Sequence, residues 1–170
     1  LNVNGFLGYT IKRTKYVEAE KLFAVYDILN VNLIRKMSLE GVDEFKKQGV
    51  TIVTTGRLVP PKNHMLAVET AVLLKKRGLK FLWYFGGEGS ERGRIEQMIA
   101  ESDLASQVKL VGMTPNPYPY MALADVYVQT SSFEGFGLTL NEARILNKPV
   151  VSTNFPVVYN QIKDGENGLI

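Results

Sequence analysis

The sequence contains no cysteine and a single histidine, His64. The absence of cysteine excludes disulfide bonds, thiolate metal ligands and a cysteine nucleophile, and it fits a protein of the reducing cytoplasm. One histidine argues against a zinc site built from protein ligands alone. Carboxylates, hydroxyls, lysine and arginine therefore remain as the side chains available for chemistry, and we predict no metal site.

Long apolar runs and long basic runs are missing as well. No apolar run approaches the roughly 20 residues that a membrane-spanning helix needs, and Leu1–Tyr9 lacks the charged start and cleavage site of a secretory signal. The longest basic run is Lys75–Arg77, so we predict no nucleic-acid partner. The net charge of +3 arises from 20 basic and 17 acidic residues. This small excess suits an anionic ligand or membrane surface, but most of these charges belong to a solvated surface.

With 45% hydrophobic and 22% charged residues, the composition is that of a folded globular domain, and 170 residues suffice for one such domain. We therefore treat residues 1–170 as a single domain, in which residues 1–49 serve as a linker plus a first strand and helix. Because the chain begins with Leu1 and stops at Ile170, we expect it to belong to a longer protein.

From Val50 onward, short apolar runs alternate with amphipathic stretches, which is the pattern of a parallel sheet wrapped by helices. The predicted fold class is therefore α/β, with an open parallel sheet flanked by helices. Ligands of such sheets bind at the loops that follow the carboxyl ends of the strands. The predicted strands are Leu22–Tyr26, Thr51–Thr55, Phe81–Phe85, Val108–Val111, Val126–Gln129, Pro149–Ser152 and one that starts at Leu169. The predicted helices are Val42–Lys47, Asn63–Arg77, Ser90–Glu101 with Ser90 as N-cap, Pro117–Ala124 and Leu138–Leu146.

The segment from Glu134 to Glu142 holds two carboxylates around a glycine-containing loop and a helix start. Gly135 and Gly137 permit positive φ angles and close approach of a ligand, and the free amides of a helix start favour a phosphate. Carboxylate oxygens accept hydrogen bonds from sugar hydroxyls, so the segment suits a ligand with both a sugar and a phosphate. Two structural interpretations stay open: Thr139 and Glu142 form a capping box, or Glu134 is an ordinary exposed loop acid.

A second group of polar residues follows the strand Thr51–Thr55. Gly56 ends that strand, and Arg57 and Lys62 follow at the side of the sheet where ligands bind. The planar fork of arginine and the compact charge of lysine together neutralise a diphosphate. The alternative is that both side chains are solvated surface.

The glycine-rich run Gly86–Ser90 resembles a phosphate-binding loop, but the dinucleotide fingerprint fails because Arg92 stands at the third glycine position. His64 is a candidate catalytic base, although a helix-start histidine on a basic surface is the simpler interpretation. The tyrosines at 118, 120 and 127 either stack on a nucleobase or pack a short helix against the sheet.

Taken in order, these segments resemble the nucleotide-sugar half of family 4 (group 1) retaining glycosyltransferases, over about Ile52 to Ile170. The resemblance implies one Rossmann-like half of a GT-B enzyme, which binds a nucleoside-diphosphate sugar while the acceptor lies on an N-terminal domain absent from this chain. The segments that carry it are Gly56-Arg57-Leu58 with Lys62, Gly87-Glu88-Gly89, Val111-Gly112, Ala124–Val128 leading into Ser131–Gly137, and Asp164–Gly168.

The resemblance also implies roles for individual residues. Arg57 and Lys62 would hold the diphosphate and stabilise the departing nucleotide without a metal, and Glu134 would bind hydroxyls of the transferred sugar; these three are the predicted catalytic residues. Glu142 would bind the ribose. The amides of residues 136–139 would contact the sugar and the distal phosphate, and the backbone near residues 112 and 113 would meet the base. The other predicted donor-binding residues are Gly56, Gly87, Gly112, Met113, Gly135, Phe136, Gly137, Leu138 and Thr139.

The resemblance further implies no cofactor, a UDP-sugar as the favoured donor, and a glycan or lipid-linked acceptor. The full-length protein would act in the cytoplasm, at the inner face of the membrane through peripheral association, and the chain alone would be inactive. Asn154-Phe155-Pro156 departs from the Gly-Gly pair frequent in the family and is expected to reshape the rear of the Glu134 loop. Two alternatives are a non-catalytic module that binds a sugar phosphate or nucleotide, and a sugar-nucleotide epimerase of similar fold.

Overall fold

The computed structural model describes residues 29–42 and 45–170, so the predicted strand Leu22–Tyr26 lies outside the described residues. Within the described ranges, five strands form one parallel sheet in the order β3-β2-β1-β4-β5. The strands are β1 (Val50–Thr55), β2 (Phe81–Gly86), β3 (Val108–Gly112), β4 (Val126–Gln129) and β5 (Val150–Ser152). The predicted α/β class and open parallel sheet are confirmed.

Helices connect the strands and cover the sheet. None of the helices in the described part of the chain has the length and apolarity that crossing a membrane requires. Two short 3-10 turns lie in the loops after β1 and β5. The helices are α1 (Val31–Met37), α2 (His64–Lys76), α3 (Arg92–Glu101), α4 (Tyr118–Leu123) and α5 (Leu138–Ile145), and the turns are Pro60–Lys62 and Val158–Asn160.

Strand β2 shows why both faces of the sheet need a cover. All six of its residues are buried, and alternate side chains point to opposite faces. Phe81, Trp83 and Phe85 join a core cluster with α2 and α3, whereas Leu82 and Tyr84 join a second cluster with α4 and α5. A strand that is apolar on both faces is typical of a doubly covered parallel sheet.

The strand order reverses between β1 and β4. Strands β2 and β3 lie on one side of β1, and β4 and β5 lie on the other. Loops that leave neighbouring strands in opposite directions open a crevice at the carboxyl ends, where α/β proteins bind ligands. The loops after β1 and after β4, residues 56–63 and 130–137, therefore border one crevice.

The glycine-rich loop after β2 packs backbone against backbone on the loop after β1. A Cβ at Gly87 would lie 1.9 Å from the carbonyl oxygen of Gly56, and φ at Gly87 is 146°. A Cβ at Gly89 would lie 2.2 Å from the carbonyl oxygen of Leu58, whose own amide donates to the Glu88 carbonyl at 2.8 Å. Only glycine fits at Gly87 and Gly89. The glycine-rich sequence of this loop is therefore explained by close backbone packing, which the sequence did not reveal.

Three details of the predicted elements are wrong. The described residues of Val42–Lys47 are not helical, because the backbone amide and carbonyl of Lys46 both hydrogen-bond to the hydroxyl of Tyr84, with Phe45 stacked on its ring at 4.8 Å. Helix α3 has Glu91, not Ser90, at its N-cap, because the Glu91 amide donates to the Leu58 carbonyl. Leu169 forms only an isolated parallel bridge with Val151.

Candidate functional site

The crevice between β1 and β4 contains an ion pair between Lys62 and Glu134. The two residues come from the loops after β1 and β4, and Lys62 Nζ lies 2.6 Å from Glu134 Oε1. The side chains are 22% and 8% exposed, so the pair is largely shielded from water. The structure thus brings together two of the three residues predicted to be catalytic.

Backbone contacts hold the two loops together around this pair. The Ser132 amide donates to the Pro61 carbonyl at 2.9 Å, and the Thr130 hydroxyl donates to the Lys62 carbonyl at 3.1 Å. Because β1 and β4 are neighbours, the two loops begin side by side. These backbone contacts therefore hold in place the loops that carry the ion pair.

Glu134 is not an exposed loop acid, since the residue is only 7% exposed. Its Oε1 accepts three hydrogen bonds: from Lys62, from Gln129 Nε2 at 2.6 Å and from Ser131 Oγ at 2.7 Å. Within the described ranges, no hydrogen bond reaches Oε2. The carboxylate is thus held by one oxygen while the other remains for a ligand. Gln129 was missed because its polar side chain lies at an otherwise ordinary strand end, and Ser131 was noted only as part of the segment Ser131–Gly137.

Arg57 lies in the same loop as Lys62, but its side chain is exposed. The described residues provide it with no hydrogen bond or ion pair. Arginine with five unused donors at the edge of a crevice is suited to an anion such as a phosphate. The interpretation of a solvated surface side chain agrees with the exposure of Arg57. It does not apply to Lys62, which is held within the site.

The start of α5 has a left-handed glycine where the sequence suggested a capping box. Gly137 is the N-cap with φ of 81°, and no side chain caps the helix. The Thr139 hydroxyl donates to Gln129 Oε1 at 2.9 Å, and Glu142 accepts from the Tyr118 hydroxyl at 3.0 Å. The capping-box interpretation is therefore wrong, and Glu142 lies in the second turn of α5.

Burial raises the pKa of Glu142, and the hydrogen bond from Tyr118 opposes this rise. Burial and the neighbouring Glu142 charge raise the pKa of Tyr118 to about 12, so its hydroxyl stays protonated and donates at neutral pH. Tyr118 therefore orients a second carboxylate of the site. Of the other tyrosines, Tyr127 is fully buried and Tyr120 lies 6.0 Å from the ring of Tyr84, as the packing interpretation predicts.

His64 is not on a basic surface. The residue is 3% exposed, its ring packs edge-on against Phe85 with centroids 5.4 Å apart, and both ring nitrogens lack a hydrogen-bond partner in the described part of the chain. Burial, and then the charge of Lys62, lower the pKa of His64 to about 4. A neutral imidazole packed in the core does not act as a surface cation at physiological pH.

The rear of the Glu134 loop is filled by residues from the segment after β5. Phe155 is fully buried, and its ring would lie 3.8 Å from a Cβ at Gly137. The Gln161 side chain donates to the Phe136 carbonyl. The departure at Asn154-Phe155-Pro156 thus supports the loop from beneath. Gln161 was missed because nothing in its sequence neighbourhood marks it.

The predicted base-binding residues lie at the end of β3. Gly112 has φ of 73° and its carbonyl accepts from the Gly87 amide at 2.8 Å. Met113 follows with 81% exposure. The structure places these residues at the carboxyl end of the sheet, where Gly56 and Gly87 also lie.

Residues 39–170 match the family described as Glycosyl transferases group 1. The chain belongs to that family. The match covers the ion pair and both loops of the crevice. It also favours a transferase over a sugar-nucleotide epimerase.

Two curated bacterial relatives of this group 1 domain are named as glycosyltransferases. The poly(ribitol-phosphate) alpha-N-acetylglucosaminyltransferase of Staphylococcus aureus is 35% identical over 117 residues, which cover 67% of this chain and 23% of that protein. The N-acetylgalactosamine-N,N'-diacetylbacillosaminyl-diphospho-undecaprenol 4-alpha-N-acetylgalactosaminyltransferase of Campylobacter jejuni is 31% identical over 141 residues, 81% of this chain and 36% of that protein. The chain thus spans well under half the length of these relatives.

A solved structure shares the arrangement of the domain. S. aureus TarM, crystallised as a variant with fondaparinux, alpha-GlcNAc-glycerol and UDP, superimposes with a TM-score of 0.77 at 27% identity. The superposition covers 95% of this chain and 31% of that protein. The group 1 domain described here therefore corresponds to one part of a larger glycosyltransferase architecture.

Proposed function

We propose that this chain is the donor-binding domain of a retaining glycosyltransferase, which moves a sugar from a nucleoside-diphosphate sugar to a glycan or lipid-linked acceptor. The observation that carries the proposal is the ion pair between Lys62 and Glu134 in the crevice between β1 and β4. In this pair, a cation that suits a diphosphate lies beside a carboxylate that suits sugar hydroxyls, which supports the proposal. In a nucleotide sugar, the diphosphate is bonded directly to the sugar.

The two cations of the loop after β1 hold the diphosphate in this proposal. Negative charge grows on the leaving nucleotide as the bond between sugar and phosphate breaks, and fixed positive charge stabilises it. Arg57 supplies a planar fork and Lys62 a point charge, and together they act without a metal ion. The position of Arg57 in the same loop as Lys62 supports this role, and its exposed side chain is accessible to a ligand.

The loop after β4 and the start of α5 hold the sugar and the ribose. Glu134 accepts from hydroxyls of the transferred sugar through Oε2, and Glu142 accepts from the ribose hydroxyls. The amides of Phe136–Thr139, together with Gly135, contact the sugar and the distal phosphate, as free amides at a helix start do. Gly56, Gly87, Gly112 and Met113 complete the donor side, with Met113 near the base.

The donor is a UDP-sugar in this proposal, supported by the UDP in the TarM structure. The acceptor binds to a second domain outside this chain, and the chain alone does not catalyse transfer. In this proposal the acceptors are precursors of surface glycans. The full-length protein therefore acts in the cytoplasm, at the inner face of the membrane. The names of the curated relatives support such acceptors.

Calorimetric titration of the full-length protein with UDP, GDP, UDP-glucose and UDP-N-acetylglucosamine tests the proposal. We expect UDP and at least one UDP-sugar to bind, activity to persist in EDTA, and NMR of the product to show the anomeric configuration of the donor. A protein that binds none of these nucleotides, or that inverts the anomeric centre, contradicts the proposal. Metal-dependent activity contradicts the charge-stabilising role of Arg57 and Lys62.

A further inference from the structure

The carboxamide of Gln129 lies between two side chains that the proposed function assigns to the donor. Gln129 is the last residue of β4 and is 3% exposed. Its Nε2 lies 2.6 Å from Glu134 Oε1, and its Oε1 lies 2.9 Å from Thr139 Oγ1. One buried side chain therefore joins the loop after β4 to the first turn of α5.

The chemistry of the partners fixes which way this carboxamide points. An ionised carboxylate accepts hydrogen bonds and cannot donate them, so the NH₂ group must face Glu134. The carbonyl oxygen then faces Thr139, whose hydroxyl must donate its only hydrogen to Gln129. The orientation of one residue thus sets the hydrogen-bonding state of both neighbours.

The other donors to Glu134 do not make this connection. Lys62 and Ser131 also bond to Oε1, but neither is bonded to Thr139 within the described part of the chain. Oε1 holds these three donors, whereas Oε2 accepts no hydrogen bond from the described residues. Removing Gln129 leaves two donors on Glu134 and takes away the Oε1 atom that accepts the Thr139 hydroxyl.

We propose that Gln129 is a positioning residue for the donor sugar: its carboxamide aligns Glu134 and Thr139 with each other, and so controls recognition of the sugar, not of the nucleotide. The inference rests on the proposed function, in which Glu134 binds sugar hydroxyls. The nucleotide lies on Arg57, Lys62 and Glu142, and among the described residues none of these three is hydrogen-bonded to the Gln129 side chain. Loss of Gln129 therefore weakens binding of a nucleotide sugar selectively.

The test compares Gln129→Met with the control Gln97→Met in the full-length protein. Methionine matches the shape of glutamine without its hydrogen bonds, and Gln97 is exposed on α3 with its side chain bonded to Glu101. Affinities for UDP, UDP-glucose and UDP-N-acetylglucosamine are measured by calorimetry, and kcat and KM with the sugar that binds. We expect Gln129→Met to weaken the sugar nucleotide about tenfold and lower kcat about tenfold, with UDP affinity within about twofold. Gln97→Met should change none of these.

Gln129→Glu provides a second readout, which also decides the matter if Gln129→Met does not fold. It places a second carboxylate at Oε1 of Glu134, and the two cannot share a hydrogen bond unless one is protonated. We expect activity that is low at pH 8 and recovers several-fold at pH 6, whereas a merely structural role gives a pH profile parallel to that of the wild type.

Equal weakening of UDP and of the sugar nucleotide in Gln129→Met, no weakening of either, or a parallel pH profile in Gln129→Glu overturns this inference alone. A wild-type protein that binds UDP-sugars in none of these titrations overturns the proposed function, and this inference with it. The two failures are therefore distinguished by the wild-type measurement.

Discussion

Lys62 Nζ and Glu134 Oε1 lie 2.6 Å apart, although 72 positions separate the two residues in the chain. Each follows a strand of the sheet, and those strands are neighbours at the point where the strand order reverses. The parallel arrangement delivers both residues to the same edge, and hydrogen bonds between residues 61–62 and 130–132 keep the loops together. Several measurable consequences come from this geometry.

The first prediction concerns the coupling between Lys62 and Glu134. Lys62→Met leaves a shielded carboxylate without its cation, and Glu134→Gln leaves the ammonium without its anion. We expect each single variant to be destabilised by about 1–3 kcal/mol and the double variant by less than the sum, with a coupling of at least about 1 kcal/mol. Urea unfolding of the four proteins measures it.

The exposed pair Lys163–Glu166 is the matched control for this cycle. Its atoms are 3.6 Å apart and its side chains are 75% and 71% exposed. Solvent screens such a pair, so its coupling should stay below about 0.5 kcal/mol. If both pairs give the same coupling free energy, the shielding of Lys62 and Glu134 from water does not strengthen their interaction.

The second prediction separates binding from stability at Arg57. Its side chain is exposed and makes no hydrogen bond or ion pair with the described residues, so Arg57→Ala should leave the urea midpoint unchanged. Loss of charged hydrogen bonds to a diphosphate should weaken UDP about ten- to a hundredfold. Calorimetry checks this, with the exposed Arg77→Ala at the end of α2 as a control that keeps wild-type affinity. Unchanged UDP affinity in Arg57→Ala would remove Arg57 from the site.

The third prediction compares two glycines. A Cβ at Gly87 would meet the Gly56 carbonyl at 1.9 Å, so Gly87→Ala should destabilise the domain by about 2–4 kcal/mol and displace the loop after β1. Gly93 lies in α3 with nothing within 4 Å of a Cβ, so Gly93→Ala should stabilise by about 0.5–1 kcal/mol. Thermal unfolding measures both, and the two shifts should have opposite signs.

The fourth prediction concerns pH and His64. Its pKa falls from 6.5 to about 4 on folding, because burial and the charge of Lys62 disfavour the imidazolium. The stabilising contribution of neutral His64 is therefore complete above about pH 6.5 and is lost as the pH falls toward 4. The free energy of unfolding, measured by urea titration, should fall between pH 7 and pH 4.5 by about 2 kcal/mol less in His64→Gln than in the wild type. An identical acid loss in both proteins would exclude His64 as its source.

Much of the fold was predictable from the sequence because its signals are local. The run Phe81–Phe85 is apolar at every position, which only a strand covered on both faces can satisfy, and α2, α4 and α5 were placed to within one or two residues. The failures also have local causes. Lys46 looked helical, but its backbone bonds to Tyr84, 38 positions away.

The candidate site was only partly predictable. Glycines and charged residues at strand ends marked the loops after β1 and β4, because such loops bind ligands in parallel sheets. Gln129 and Gln161, which orient the site, were not marked, and Tyr118 was considered only for stacking or packing and not as a partner of Glu142. A glutamine at a strand end looks the same whether it faces water or joins two side chains.

By itself, the sequence determined the alternation of strands and helices and the residue types at the ends of the strands. These are the two glutamates on either side of a glycine-containing loop, and Arg57 with Lys62. These follow from hydrophobic periodicity and turn chemistry, which act over a few neighbouring residues. Only the tertiary structure decided that Lys62 pairs with Glu134, that Glu142 bonds to Tyr118 instead of capping its helix, and that His64 is buried. The physical reason is that strand order determines which loops become neighbours, and burial then makes each polar group take the partner within its reach.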